Sequence, residues 1–314
     1  MLTAAGLLLY SVAVLSVGPR LLPKFTRRGD APRLGVAVWL TAIATVLVAW
    51  VGAVVFFIIE VARHWKHPEL VVLSCLNQLH GTFIGDHSGA PQALALAIAA
   101  GVSGAVGVTC VRLSKALTRL RIRAYGHAEA ARLVGRSTGD PEVVVIDAPK
   151  PAAYCVAGRP PAIVVTSAAL AVLGHDELSA VLAHERAHLT GGHLTVVAAL
   201  RSLASVFPNL ALMTGGAAEV ARLLEMCADD VAVRHHGNAA LLSGLRSLVD
   251  AAPAEALGAA DIAVLARAER LIARPTLWGQ LRINAALTAT MAIMLAAPLA
   301  GPFLALLGLP TCGP

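Results

Sequence analysis

Residues 178–188 read Leu178-Ser179-Ala180-Val181-Leu182-Ala183-His184-Glu185-Arg186-Ala187-His188, and the rest of the chain is interpreted outward from them. Leu178, Val181 and Leu182 recur at helical spacing, so His184 and His188 share one face of a helix and can aim both imidazoles at one ion. Glu185 stands beside that face, where its carboxylate can take a proton from an attacking water. The alternative is a helix with two ordinary histidines; its position directly after strand-like runs, with apolar residues beneath the pair, favours the metal reading. A catalytic metal keeps three protein ligands and one open position, so a third ligand is needed. A histidine at 194 would extend the motif, but 194 is Leu and the histidine falls at 193, a displacement of about 100° on a helix. His193 is therefore expected only as a polar residue at the helix end, favourable against its dipole. Downstream, Glu225-Met226-Cys227-Ala228-Asp229 sets two carboxylates at i and i+4 on an expected helix over 217–236, closed by Gly237. Glu225 is the candidate third ligand, and Asp229 the acceptor for the distal N–H of a ligand imidazole. A solvated acidic face is the alternative, which the apolar character of the surrounding helix disfavours; Asp230, off that face, is expected at the surface.

Upstream, 142–148, 152–157 and 162–166 are short Val- and Ile-rich runs separated by Ala148-Pro149-Lys150-Pro151 and Gly158-Arg159-Pro160-Pro161, which predicts a small sheet. Ser167 is placed to cap a short helix ending at Gly174, and Asp176 and Glu177 supply the acidic first turn of the His184 helix. Residues 124–283 thus read as an α+β domain inserted in a mainly α membrane protein. Of 314 residues 57% are hydrophobic and only 14% charged, with mean hydropathy +0.72, which excludes a soluble globular, disordered or disulfide-framed chain. Four transmembrane helices are expected at 2–18, 34–59, 93–111 and 285–309, giving a membrane region 1–123 and a last helix with a short tail in 284–314. The first has basic residues after it and none before it, so it reads as a retained helix rather than a signal peptide.

Arg20, Lys24, Arg27, Arg28 and Arg33 follow the first span, and Arg112, Lys115, Arg119, Arg121 and Arg123 follow the third. Both basic loops fall on one side, which the positive-inside rule makes cytoplasmic; the N-terminus is then outside and the inserted domain inside. The net charge of +6 is accounted for by this bias, so no direct nucleic-acid partner is expected, and the bilayer is the first partner. Cys75 and Cys312 fall outside and are expected to bridge the outer loop to the tail, two free thiols being the alternative, while Cys110, Cys155 and Cys227 are expected free. The apolar stretch 194–213 cannot be a single crossing, because Glu225 would then lie across the membrane from His184; it is expected as a helix-and-turn excursion that lies against the membrane, packs into the domain or re-enters on the same side, with Arg201 reaching headgroups or a partner.

These residues carry a family resemblance: Ala162-Ile163-Val164-Val165-Thr166-Ser167, the run from Leu178 to His188, Glu225 to Asp229, and Arg267-Ala268-Glu269-Arg270-Leu271-Ile272. In them the chain resembles the BlaR/MecR-type integral-membrane zinc peptidases of bacteria (gluzincins), and more distantly the HtpX and CAAX-protease membrane zincins. The resemblance implies a zincin-like domain with one Zn2+ per chain, Glu225 as ligand and Glu185 as base, in the bacterial cytoplasmic membrane. It also implies a zinc metalloendopeptidase whose substrate is a cytoplasmic repressor of the BlaI kind. Membrane-protein quality control of the HtpX type, or a non-catalytic scaffold, are the other readings. Only Pro310–Pro314 follow the last expected span, so the penicillin-binding sensor domain of the receptor members is not expected. His235, His236 and Arg234 are candidates for oxyanion or substrate contacts, against their reading as a basic helix end; an extended substrate is expected to add to the 162–166 strand.

Overall fold

A computed structural model of the chain describes residues 2–63, 90–250, 259–273 and 276–306; Cys75 and Cys312 lie outside these. The first helices are α1 (Leu2–Thr26), α2 (Pro32–Arg63) and α3 (Ala90–Val134). Four strands follow, β1 (Arg136–Ser137), β2 (Val143–Ile146), β3 (Ala153–Val156) and β4 (Ala162–Thr166). The remainder is helical: α4 (Ser167–Val172), α5 (His175–Thr190), α6 (His193–Val206), α7 (Ala211–Asp250), α8 (Ala259–Ile272) and α9 (Leu277–Leu306).

Among the described residues three helical segments are long and apolar enough to cross a membrane: Thr3–Thr26, Pro32–Ile59 and Leu277–Leu299. The last starts ahead of the expected residue 285. The expected span 93–111 lies within α3, where most side chains of its first half are outside the described residues. Helices α5 and α6 also qualify if taken as one span bent by 60°, the apolar part being mostly α6.

Helices α1, α2, α6, α7 and α9 share one core, in which Trp39, Leu212, Met213, Leu223, Met226 and Leu287 are almost fully buried. Small residues make the close crossings: a Cβ on Gly216 would stand 2.9 Å from Ile43 Cδ1 and 3.2 Å from the Trp39 ring. The turn between α1 and α2 is tied to the rest, with Arg222 donating to the Thr26 carbonyl at 2.9 Å and Arg270 to that of Gly29 at 2.7 Å.

The sheet has the order β1-β2-β4-β3, parallel between β2 and β4 and antiparallel elsewhere. Alternation along β4 divides its burial: Ala162 and Val164 pack with Ala128 and Ala131 of α3, while Ile163 and Val165 pack with Ala169, Leu173 and Val181. Strand β1 was not foreseen, being short and polar. Because β4 lies between β2 and β3, it cannot accept an added strand; β3 is the edge nearest α5, and the expectation for 162–166 is corrected accordingly. The cap of α4 is Thr166 rather than Ser167: the extended Thr166 backbone lets its Oγ1 accept from Ala169 N at 3.2 Å, while Ser167 Oγ donates to Asp147 Oδ1 at 2.6 Å.

Candidate metal centre

Helix α5 starts as its acidic first turn requires: Glu177 Oε2 accepts the Gly174 N–H at 2.9 Å, and Ser243 of α7 donates to Oε1. These bonds hold the Glu177 carboxyl below its ordinary range, Ser243 contributing most. The helix lays Ala180, Val181 and Ala187 against the domain interior and presents His184 and His188, only 5% and 7% exposed, toward α7. Two such buried imidazoles need partners, and α7 provides one at the crossing.

His184 Nε2 lies 3.3 Å from Glu225 Oε2, His188 Nε2 lies 3.4 Å from Glu225 Oε1, and the two Nε2 atoms are 3.1 Å apart. A tetrahedral zinc with bonds of about 2.0–2.1 Å sets its ligand atoms about 3.3 Å apart, so this trio could hold such an ion without rearrangement. Behind it, Asp229 Oδ1 stands 3.1 Å from His184 Nδ1, at an angle short of a good hydrogen bond. Asp229 is fully buried and takes a bidentate pair from Arg267 of α8, Nε at 2.8 Å and Nη2 at 2.5 Å; Arg267 Nη1 is also 3.4 Å from Glu225. Glu185 turns to the sheet edge, where its Oε2 accepts the Cys155 N–H at 2.9 Å.

Burial alone would raise the Glu225 carboxyl, but the two imidazoles hold it well below the usual carboxylate range. Asp229 is lowered likewise, Arg267 outweighing burial. Burial opposes a charge on His184, yet Asp229 and Glu225 prevail and push it up to about 9. Glu185 is raised by burial, partly offset by the histidines.

The structure thus brings together His184, Glu185 and His188 of α5 with Glu225 and Asp229 of α7, two places in the chain. It does not bring Arg234, His235 or His236 to them: all three are exposed, Arg234 donates to the Asp230 carbonyl at 3.0 Å, and the two histidine rings lie 6.4 Å apart, tilted by 57°. Asp230 is half-exposed and paired with Arg270 at 2.8 Å, so it is more than the surface residue expected. Helix α7 begins ahead of 217; Gly237 (φ 81°, ψ 162°) closes its first segment as expected, and a second helical segment follows directly across the kink.

Two residues were missed. Arg267 was legible in principle, since a buried aspartate calls for a cation and Arg267-Ala268-Glu269-Arg270 supplies two on one face. His193 is the second: instead of ending α5 it opens α6, and its Nδ1 lies 3.0 Å from His188 Nδ1. Burial and the neighbouring His188 lower its pKa to about 4.

Residues 117–228 match the model of peptidase family M48, a stretch that holds His184, Glu185, His188 and Glu225 and stops before Asp229. The match supports a peptidase, and the trio supplies a group able to hold that activity's metal. No curated protein and no solved structure matches the chain.

Proposed function

We propose that this chain is a membrane-embedded zinc endopeptidase acting at the cytoplasmic membrane face. The observation carrying the proposal is the convergence of His184, His188 and Glu225 beside a half-buried glutamate that touches the β3 edge of the sheet. The match to a peptidase family whose members depend on zinc supports the same reading.

His184, His188 and Glu225 would hold the ion, and Asp229, fixed by Arg267, would orient the His184 ring. When bound, zinc polarises the scissile carbonyl and acidifies the attacking water. Glu185 takes that water's proton and returns it to the leaving nitrogen; its raised pKa brings it nearer the value such a base needs at neutral pH. In the β3–β4 register, Ala152 pairs with Thr166, so the N–H and C=O groups of Ala153 and Cys155 point off the edge. An extended peptide adds there through main-chain hydrogen bonds to Ala153 and to the Cys155 carbonyl, the Cys155 N–H being held by Glu185.

Two observations support the cytoplasmic placement. The basic turn between α1 and α2 contacts α7 and α8 through Thr26 and Gly29, so it lies at the same end of the bundle as the metal centre. Residues 184–188 of α5 and 225–229 of α7 also meet on one side, so the excursion made by α6 is reversed by the first turns of α7. By the positive-inside rule that side is cytoplasmic.

The substrate we propose is a cytoplasmic transcriptional repressor, cleaved in signal transduction. Purified protein should bind one zinc and cleave peptide, and Glu185→Gln should lower cleavage about 10²–10⁴-fold with zinc content unchanged. A Glu185→Gln protein as active as the parent would end the endopeptidase reading. Comparison of cleaved proteins in cells carrying either form separates the substrates: one dominant repressor fragment supports signalling, and many membrane-protein fragments indicate quality control.

A further inference from the structure

Each ligand histidine has a second nitrogen, and the two have unlike partners. For His184 it is the carboxylate of Asp229; for His188 it is an imidazole, His193 Nδ1 at 3.0 Å. If His188 uses Nε2 toward Glu225 and the ion, its Nδ1 must carry a hydrogen, and the buried ring must donate it. His193 Nδ1 is then the acceptor and the His193 hydrogen sits on Nε2.

We propose that His193 is a positioning residue for the metal centre, fixing the tautomer and tilt of His188 as a neutral acceptor; this rests on the zinc reading above. Neutrality has a consequence. Glu225 already brings one negative charge to the ion, and Asp229 is balanced by Arg267, so an uncharged partner on His188 leaves the centre net positive and electrophilic.

The sequence between the two rings is built for this contact. Gly192 adopts φ 64°, a left-handed turn that ends the α5 direction and starts α6. Gly191 has an ordinary helical conformation (φ −77°, ψ −6°) that any residue could adopt. What it lacks is room: a Cβ there would lie 2.4 Å from His193 Nε2, 2.7 Å from Cδ2 and 2.9 Å from the Ala187 carbonyl oxygen. Glycine at 191 therefore leaves space both for that carbonyl and for the His193 ring, which folds back over it to reach His188.

The test uses the full chain in detergent, as wild type, His193→Leu, His193→Gln and Gly191→Ala. Zinc affinity is measured by chelator competition and the ligand field by visible absorption after Co²⁺ loading. His193→Leu is expected to weaken zinc about 10–100-fold and shift the Co²⁺ bands. His193→Gln, which restores an acceptor, should recover most of both; Gly191→Ala, which presses on the ring and on the Ala187 carbonyl, should shift the Co²⁺ bands in the same direction as His193→Leu, and combining it with His193→Leu should add little further loss of zinc affinity. If His193→Leu does not fold, Gly191→Ala and His193→Gln still decide. Wild type that binds zinc beside variants with unchanged affinity and bands overturns the role of His193 alone. Wild type that binds no zinc overturns the metal reading, and this proposal with it.

Discussion

Asp229 is the residue on which the centre depends most, because it is fully buried and holds Arg267, only 11% exposed, against the back of His184. Removing one partner leaves the other buried with only a weaker contact, Arg267 to Glu225 at 3.4 Å or Asp229 to His184 at 3.1 Å. Asp229→Ala is expected to destabilise the protein by about 3–5 kcal/mol and to weaken zinc, and adding Arg267→Met should recover most of the stability but not the affinity. Thermal unfolding with zinc titration checks both; a single variant as stable as wild type would refute the account. The pH response follows from His184. Its pKa in the metal-free fold is about 9, above the ordinary 6.5, so its protonation stabilises the metal-free protein fully below about 6.5 and that stability is lost as pH rises through 9. Zinc competes with the same proton. Metal-free protein should therefore lose thermal stability between pH 6.5 and 9 while apparent zinc affinity rises over that window, and a metal-free unfolding midpoint flat across it would count against this electrostatic arrangement.

Helix α7 carries Glu225 and Asp229 and then breaks at Gly237, whose φ of 81° and ψ of 162° belong to a region reserved for glycine. No atom lies within 4 Å of where a Cβ would sit, so backbone strain is the whole cost of a substitution. Gly237→Ala should destabilise by about 1–3 kcal/mol. Gly215→Ala, equally open but helical, should instead stabilise by up to about 1 kcal/mol. Opposite signs in thermal midpoint would separate conformation from packing; equal shifts would show that the break is not fixed as described. The break was legible because a lone glycine after a helical run is a stop signal. That the helix resumes was not legible, since Leu241 is buried with Ala180 and Leu271 only in the assembled domain.

For the whole molecule, Arg222 to Thr26 and Arg270 to Gly29 join the first helical hairpin to the ligand helix and to α8. Gly29 packs so closely that a Cβ would stand 2.2 Å from Met226 Sδ, next in sequence to Glu225. The first helical hairpin and the candidate metal centre are thus one packed unit. In a cysteine-free background, Arg28→Cys and His175→Cys, both at exposed positions, should resist an impermeant thiol reagent on intact cells and react after permeabilisation. Labelling of the two from opposite sides would refute the shared side.

Short-range order was readable from the chain alone. The spacing of His184 to His188 and of Glu225 to Asp229, the acidic start of α5 and the three strand runs depend on repeats of about 3.6 and 2 residues that any local segment displays. The apolar runs and the basic residues beside them depend on composition, which the bilayer reads segment by segment. Tertiary structure alone decided which helix faces meet, and four features follow from that: Glu225 within 3.4 Å of both imidazoles, Arg267 on Asp229, β4 in the sheet interior and His193 behind His188. The physical reason is that periodicity assigns a residue to a face but carries no information about which distant face will cover it; that is settled by packing, where buried polar groups must find partners across the fold.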